Sequence, residues 1–251
     1  MKKDSSWNES AGWYDQLLEN TKDTYQRKVI SPNLLRLLEL KKGENVLDLA
    51  CGNGFFTREF FKQGANVTGV DLSSKMIELA RKKSASEIKL AVASADKLSF
   101  LESGTFDKVV IVLAIQNIEN VSGVFQECQR VLKSRGKLFL IMNHPAFRIA
   151  KKSSWDWDNE SKIQYRRIDR YLSESKVKIQ THPGDRPEEY TISFHRPLQF
   201  YFKLLQKNGF AVSHLEEWIS HKQSQTGPRA EAEDLARKEI PLFMFLECIK
   251  P

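Results

Sequence analysis

Val46-Leu47-Asp48-Leu49-Ala50-Cys51-Gly52-Asn53-Gly54 is the stretch of this chain that decides its fold. A short apolar run beginning at Asn45 ends in a turn carrying two glycines, and helical character follows from Phe55 to Lys62 before Gly64 interrupts it. Strand, glycine turn and helix are the natural reading. Gly52 and Gly54 fall in the turn, where a residue without Cβ lets backbone approach a ligand closely. Asp48 sets a carboxylate near the strand end, where a cationic group could be received. A dinucleotide site would carry a third glycine where Thr57 stands, and an acid beside the turn repels phosphate. The implied ligand is therefore nucleoside-like and partly cationic.

Working outward, residues 24–40 predict a helix, with Leu34, Leu35, Leu37 and Leu38 as its apolar stripe and Gly43 as its stop. Downstream, 65–70 predicts a second strand closed by Asp71, an acid placed to accept hydrogen bonds from both hydroxyls of a ribose. Ser73 then caps a helix to Lys83. Residues 89–93 and 106–113 predict strands three and four, 121–133 a helix and 137–142 strand five. A helix from Leu198 to the Asn208-Gly209 stop, a strand over 210–219, a helix over 229–239 and a strand over 242–249 complete the series. Continuous apolar strands alternating with helices predict an α/β fold: seven strands, mainly parallel, with helices on both faces.

The pattern breaks between His144 and His195, a polar, aromatic and basic segment. We read 1–143 as a ligand-binding α/β frame, 144–195 as a lid inserted after strand five, and 196–251 as the remainder of the same domain.

Composition narrows the class. With 41% hydrophobic and 28% charged residues the chain resembles a globular protein, neither disordered nor membrane-embedded. The polar N-terminus lacks the apolar centre of a signal peptide, and a cytoplasmic location is expected. Cys51, Cys128 and Cys248 are too few and too scattered for a disulfide framework or a metal site, so no metal is expected. The net charge of +7 suits nucleic acid or an anionic small molecule, and equally a Lys-rich solvated surface.

Five motifs in order carry a resemblance: 46–54, Val70-Asp71-Leu72-Ser73, Ala95-Asp96, Phe106-Asp107-Lys108-Val109-Val110 and 131–138. The first 143 residues resemble the class I S-adenosylmethionine-dependent methyltransferases, with their Rossmann-like sheet, especially the group that includes the ubiquinone and menaquinone C-methyltransferases. The resemblance implies S-adenosylmethionine as methyl donor and S-adenosylhomocysteine as product. It assigns the methionine part to Asp48 and the backbone of Ala50, Cys51, Gly52, Asn53 and Gly54, and the ribose to Asp71. Leu72 and Met76 would flank the adenine, with Ala95 lining the ring and Asp96 accepting its amino group. Val112, Leu113 and Asn117 would edge the methionine end. Tyr14 resembles the N-terminal Tyr-Asp that folds over the donor in many relatives, and packing as a helix anchor is an equal alternative. Ala50 stands where glycine is commoner.

In such folds the segment after strand five borders the acceptor. His144 and His195 are the candidate general bases, each weighed against a plain loop hydrogen bond. Trp155, Trp157, Tyr165 and Tyr171 suggest an aromatic pocket or a small satellite core. Arg166, Arg167 and Arg170, at near-helical spacing, suggest a carboxylate or phosphate clamp or a solvated face. The acceptor is expected to be a small molecule offering an O, N, S or C nucleophile, with RNA and a donor-binding regulatory protein without turnover as alternatives. The sequence does not give the oligomeric state.

Overall fold

A single seven-stranded sheet organises the computed structural model, which describes residues 7–180 and 190–251. At its centre β1 (Asn45–Leu49) pairs in parallel with β2 (Asn66–Asp71) on one side and β4 (Phe106–Val112) on the other. β3 (Lys89–Val92) forms one edge, and β5 (Leu132–Asn143) extends the sheet beyond β4. β11 (Phe243–Ile249) runs antiparallel to β5, and β10 (Ala211–Trp218) antiparallel to β11, giving the order β10-β11-β5-β4-β1-β2-β3. The chain moves one way from β1 and the other way from β4, so a topological switch point lies between those two strands.

Period-two alternation distributes the strand side chains between two cores. Val109, Ile111, Leu138, Leu140, Met244 and Leu246 join one cluster with α5 (Val121–Val131) and α6 (Leu198–Lys207). Their neighbours Val110, Phe139, Ile141, Phe243 and Phe245 join the other, under α2 (Ser31–Leu38) and α3 (Phe55–Lys62). Asp48 follows the parity of Val46 and so faces α3. Ser73 caps α4 (Ser74–Lys83) by accepting the Met76 N–H at 3.2 Å.

The helix predicted over 24–40 is broken. A π-helical turn at Gln26–Ile30 precedes α2, and Pro32, which has no N–H to donate, sits in the first turn of α2. Strand five begins at Leu132 rather than 137, because Arg135, at φ 62°, and its neighbours loop out while the pairing with β4 jumps from Leu132 to Lys137. The polar N-terminal stretch contains a helix, α1 (Trp7–Asn20), and α7 (Ala230–Glu239) lies between the last two strands of the chain.

The segment after β5 is β-structure. Two antiparallel hairpins, β6 (Ser153–Asp158) with β7 (Ile163–Ile168) and β8 (Ser175–Gln180) with β9 (Tyr190–His195), stand apart from the main sheet. The near-helical spacing of the three arginines is thereby overturned: Arg166 and Arg167 occupy opposite faces of β7, and Arg170 sits exposed in a turn at φ 54°. Residues 181–189 of the predicted lid lie outside the described residues.

Gly136 marks the β5 bulge. A Cβ there would stand 2.9 Å from the Lys133 carbonyl and 3.3 Å from that of Asp107, both backbone atoms. Gly136→Ala is expected to destabilise the fold by roughly 1–3 kcal/mol, read as a lower denaturant midpoint with unchanged slope.

Candidate active site

The carboxyl ends of β1 and β4 open onto a small cavity of about 40 Å³. Asp48, Ala50, Cys51, Gly52 and Asn53 form one wall, Val112 and Leu113 another, and Tyr14 of α1 closes the side. No lysine or arginine lines it among the described residues. The backbone is bent to build it: Ala50, Gly52 and Leu113 take left-handed conformations at φ 60°, 55° and 52°. For Ala50 and Leu113 that conformation costs on the order of 1–2 kcal/mol each. The surrounding ladder holds it, with Leu113 N–H donating to the Ile141 carbonyl at 2.7 Å.

Asp48 is 2% exposed, and its Oδ2 accepts a hydrogen bond from the Thr57 hydroxyl at 2.5 Å. Burial raises its carboxyl pKa to about 7, against the Thr57 hydrogen bond and with the Asp71 charge adding to the rise. Thr57 thus does more than displace a third glycine: it anchors the acid. Cys51, also buried, has its thiol pushed well up by burial and by the two carboxylates, so it is a poor nucleophile.

Asp71 terminates β2 with its carboxylate fixed by backbone. Oδ2 accepts from Gly52 N–H at 2.9 Å and Oδ1 from Ser73 N–H at 2.8 Å. Burial raises its pKa while those N–H groups oppose the rise. The Leu72 N–H also faces the carboxylate, which keeps part of its acceptor capacity for a ligand hydroxyl. Leu72 beside it is 40% exposed, whereas Met76 is 2% exposed and offers almost no surface to a ligand. Ala95 and Asp96 follow β3, whose start of departure is held by Ala93 N–H donating to the Asp71 carbonyl at 3.0 Å. Asp96 accepts from Ser94 Oγ at 2.5 Å and from Asn120 Nδ2 at 2.8 Å. Burial raises its pKa, and the two hydrogen bonds outweigh it and leave the acid below its ordinary range.

Seven of the sequence-predicted donor residues therefore stand outside the cavity wall: Gly54, Asp71, Leu72, Met76, Ala95, Asp96 and Asn117. For Gly54 the reason is packing: at φ 75°, a Cβ would meet Ala80 Cβ at 3.0 Å, so the glycine serves the approach of α3 to α4. Asn117 reaches the Leu113 carbonyl only at 3.5 Å, while Gln116 donates to it at 2.7 Å.

Tyr14 belongs to α1 and lines the cavity. Burial holds its phenol above the usual range, against a Gln26 hydrogen bond and reinforced by Asp71 and Asp48. α1 is fastened across the turn by Asp15, which accepts from Asn53 Nδ2 at 2.9 Å and Lys83 Nζ at 2.5 Å. Glu19 accepts from Arg58 at 2.5 Å. Thr57, Arg58 and Lys83 escaped sequence reading because their partners lie on other elements.

A second, larger cavity, about 320 Å³, adjoins the ends of β4 and β5 and the hairpins. His195 lines it, and its Nε2 donates to the Tyr171 carbonyl at 2.7 Å. That bond fixes the tautomer and leaves Nδ1 as the proton-accepting nitrogen. His144 is different. Its Nδ1 accepts the Ala146 N–H at 3.2 Å and its Nε2 bonds Glu217 at 2.6 Å, so both nitrogens are occupied in a ring 2% exposed. Burial lowers its pKa against the pull of Glu217. These contacts hold the His144 ring in place and leave neither nitrogen with a free lone pair.

The four lid aromatics do not make one pocket. Trp155 lies under the Arg166 guanidinium at 5.1 Å, and Trp157 under that of Arg229 at 4.6 Å. Tyr165 is exposed, and the Tyr171 hydroxyl accepts the Leu198 N–H at 3.0 Å at the start of α6.

A mainly parallel sheet whose switch point opens on an acid-bearing cavity, with no lysine or arginine lining it among the described residues, suits a nucleoside with a cationic arm better than a pyrophosphate. Residues 47–140 match the family model described as a methyltransferase domain. The chain is 32% identical over 101 residues to a ubiquinone biosynthesis O-methyltransferase of Xanthomonas oryzae, covering 39% of this chain and 42% of that protein. It is 34% identical over 113 residues to a demethylmenaquinone methyltransferase of Tropheryma whipplei, covering 44% and 46%. The matched region thus spans less than half of either relative. A solved S-adenosylmethionine-dependent methyltransferase from Mesorhizobium loti is similar over 88% of this chain and 98% of its own, at TM-score 0.69 and 27% identity. The Rossmann-like class I fold is shared with that structure.

Asp48 carries a pH-dependent cost. Its unfolded carboxyl ionises near 4 and the folded one near 7, so stability is lost as pH rises through that window. Asp48→Asn is expected to stabilise the fold at pH 8 by up to about 4 kcal/mol, seen as a raised melting temperature, and to make little difference below pH 4. Differential scanning calorimetry at both pH values checks it.

Proposed function

We propose that this protein is an S-adenosylmethionine-dependent methyltransferase that methylates a small molecule in the cytoplasm. The observation that carries the reading is the first cavity: a buried acid, a left-handed backbone cradle and no cationic side chain among the described residues, within the methyltransferase domain. Those features fit a ligand bearing an ammonium and a sulfonium, and they disfavour a phosphate. Two relatives whose names place them in quinone biosynthesis support a small-molecule acceptor. Free, buried Cys51, Cys128 and Cys248 suit a reducing compartment, and no helix among the described residues is long and apolar enough to cross a membrane.

Asp48 and the 50–53 backbone receive the amino-acid end of the donor. Asp71 receives the ribose hydroxyls, Leu72 covers one face of the adenine, and Asp96 accepts its amino group. Tyr14 and α1 close over the cavity and keep water from it. The bound donor supplies an electrophilic methyl group on a sulfonium. Residues 144–195 select the acceptor, and His195 takes up the proton that the acceptor's O–H or N–H loses as its oxygen or nitrogen gains the methyl.

Release of S-adenosylhomocysteine from S-adenosylmethionine, measured against pooled metabolites and against RNA, tests the activity; release with RNA alone, or binding without release, contradicts it. Asp71→Ala is expected to weaken donor binding by about 1–3 kcal/mol in calorimetry. His195→Asn is expected to lower kcat/KM on the order of a hundredfold, with donor affinity unchanged.

A further inference from the structure

The second cavity has a charge that donor binding does not explain. Arg148, Lys151, Arg166 and Arg196 line it, and no aspartate or glutamate does among the described residues. Arg148 and Arg166 form no ion pair with any described carboxylate. Arg148 instead donates to Asn143 Oδ1 at 2.9 Å, and Arg166 donates to the Phe147 carbonyl at 2.9 Å and to Ser153 Oγ at 2.8 Å. Their hydrogen bonds hold two like charges toward one space. Surrounding protein and the Arg166 charge hold Arg148 below its ordinary pKa, and burial does the same to Arg166.

Arg196 is 5% exposed, sandwiched by Phe194 at 4.7 Å and Phe200 at 5.1 Å. Its Nη2 donates to the Glu119 carbonyl at 2.9 Å, and Glu174 Oε2 is 3.9 Å from Nε, beyond hydrogen-bonding distance. Nη1 is buried with no hydrogen bond of good geometry among the described residues; the Tyr201 phenol lies next to the guanidinium, its pKa raised by burial against the Arg196 charge and a hydrogen bond from Arg196. A buried guanidinium with so weak a counter-charge is costly, and it becomes favourable when an anion meets it.

A second wall residue adds direction. Gln116 donates its Nε2 to the carbonyl of Leu113, which walls the first cavity, so the amide orientation is fixed. Its Oε1 is buried with no partner among the described residues. One end of the second cavity, next to the donor cavity, therefore lacks a donor, and the rest lacks an anion.

We infer that the acceptor is an acidic small molecule: a carboxylate or phosphate held by Arg148, Arg166 and Arg196, with a nucleophilic O–H or N–H at the Gln116 end. The inference rests on the methyl-transfer reading and extends it to a substrate class. Neutral quinols fit this wall less well, for want of charge.

Calorimetry on protein loaded with S-adenosylhomocysteine separates the two. Loading itself reports the methyl-transfer reading, since failure there sinks that reading and leaves the cavity assignment to be read from the anion alone. Inorganic phosphate is then titrated as the minimal probe, into the parent and into Arg148→Gln/Arg166→Gln. Saturable phosphate binding that falls at least tenfold in the double variant, with S-adenosylhomocysteine affinity retained, is the expected result. In an acceptor screen of acids paired with their methyl esters, methylated hits are expected among the acids only. Absence of saturable phosphate binding, equal binding by the double variant, or turnover of esters or RNA in preference to acids overturns the inference.

Discussion

A carboxylate buried at the end of a central strand is the constraint on which this structure turns. Asp48 faces α3 because strand parity sends it there, and the Thr57 hydroxyl is the side chain that meets it. Desolvation makes its charge expensive, so the empty site holds a proton up to about pH 7. A cation placed in the cavity removes that expense. Binding selectivity thus follows from a destabilised group kept in place by a rigid sheet, with the cost met by two large cores on either face.

The same switch point places two unlike cavities side by side. One presents an acid and left-handed backbone, the other a set of guanidinium groups, and the short stretch from Leu113 to Gln116 is common ground between them. Opposite electrostatics on the two sides suit a reaction in which a cationic donor meets a separate acceptor, because each ligand is disfavoured in the other's place. Hairpins β6–β7 and β8–β9 form the outer wall without joining the sheet, so they can vary without disturbing the donor side.

The frame was legible because its signals are local. Apolar runs, glycine punctuation and a serine cap define β1, α3, β2 and α4 within a residue or two, and the acids at 48 and 71 stand at strand ends that the same pattern locates. Long-range matters were not legible. Nothing near Thr57 in sequence shows that it will meet Asp48, and the role of Gly54 depends on Ala80, which lies on α4. Arginines at 166, 167 and 170 suit a helix by spacing, yet cross-strand pairing with β6 makes the segment a hairpin. His144 and His195 look alike in sequence, and only Glu217, Ala146 and Tyr171, supplied by tertiary contacts and turns, tell a saturated ring from one with a usable nitrogen.

Calorimetric titration with S-adenosylmethionine at pH 6, repeated in buffers of different ionisation enthalpy, tests the central role of Asp48 most directly. Saturable binding accompanied by proton release is predicted, since the acid is mostly protonated when empty and ionised beside the ligand's cation. No heat with that compound or with S-adenosylhomocysteine, while a nicotinamide dinucleotide binds, would contradict the account.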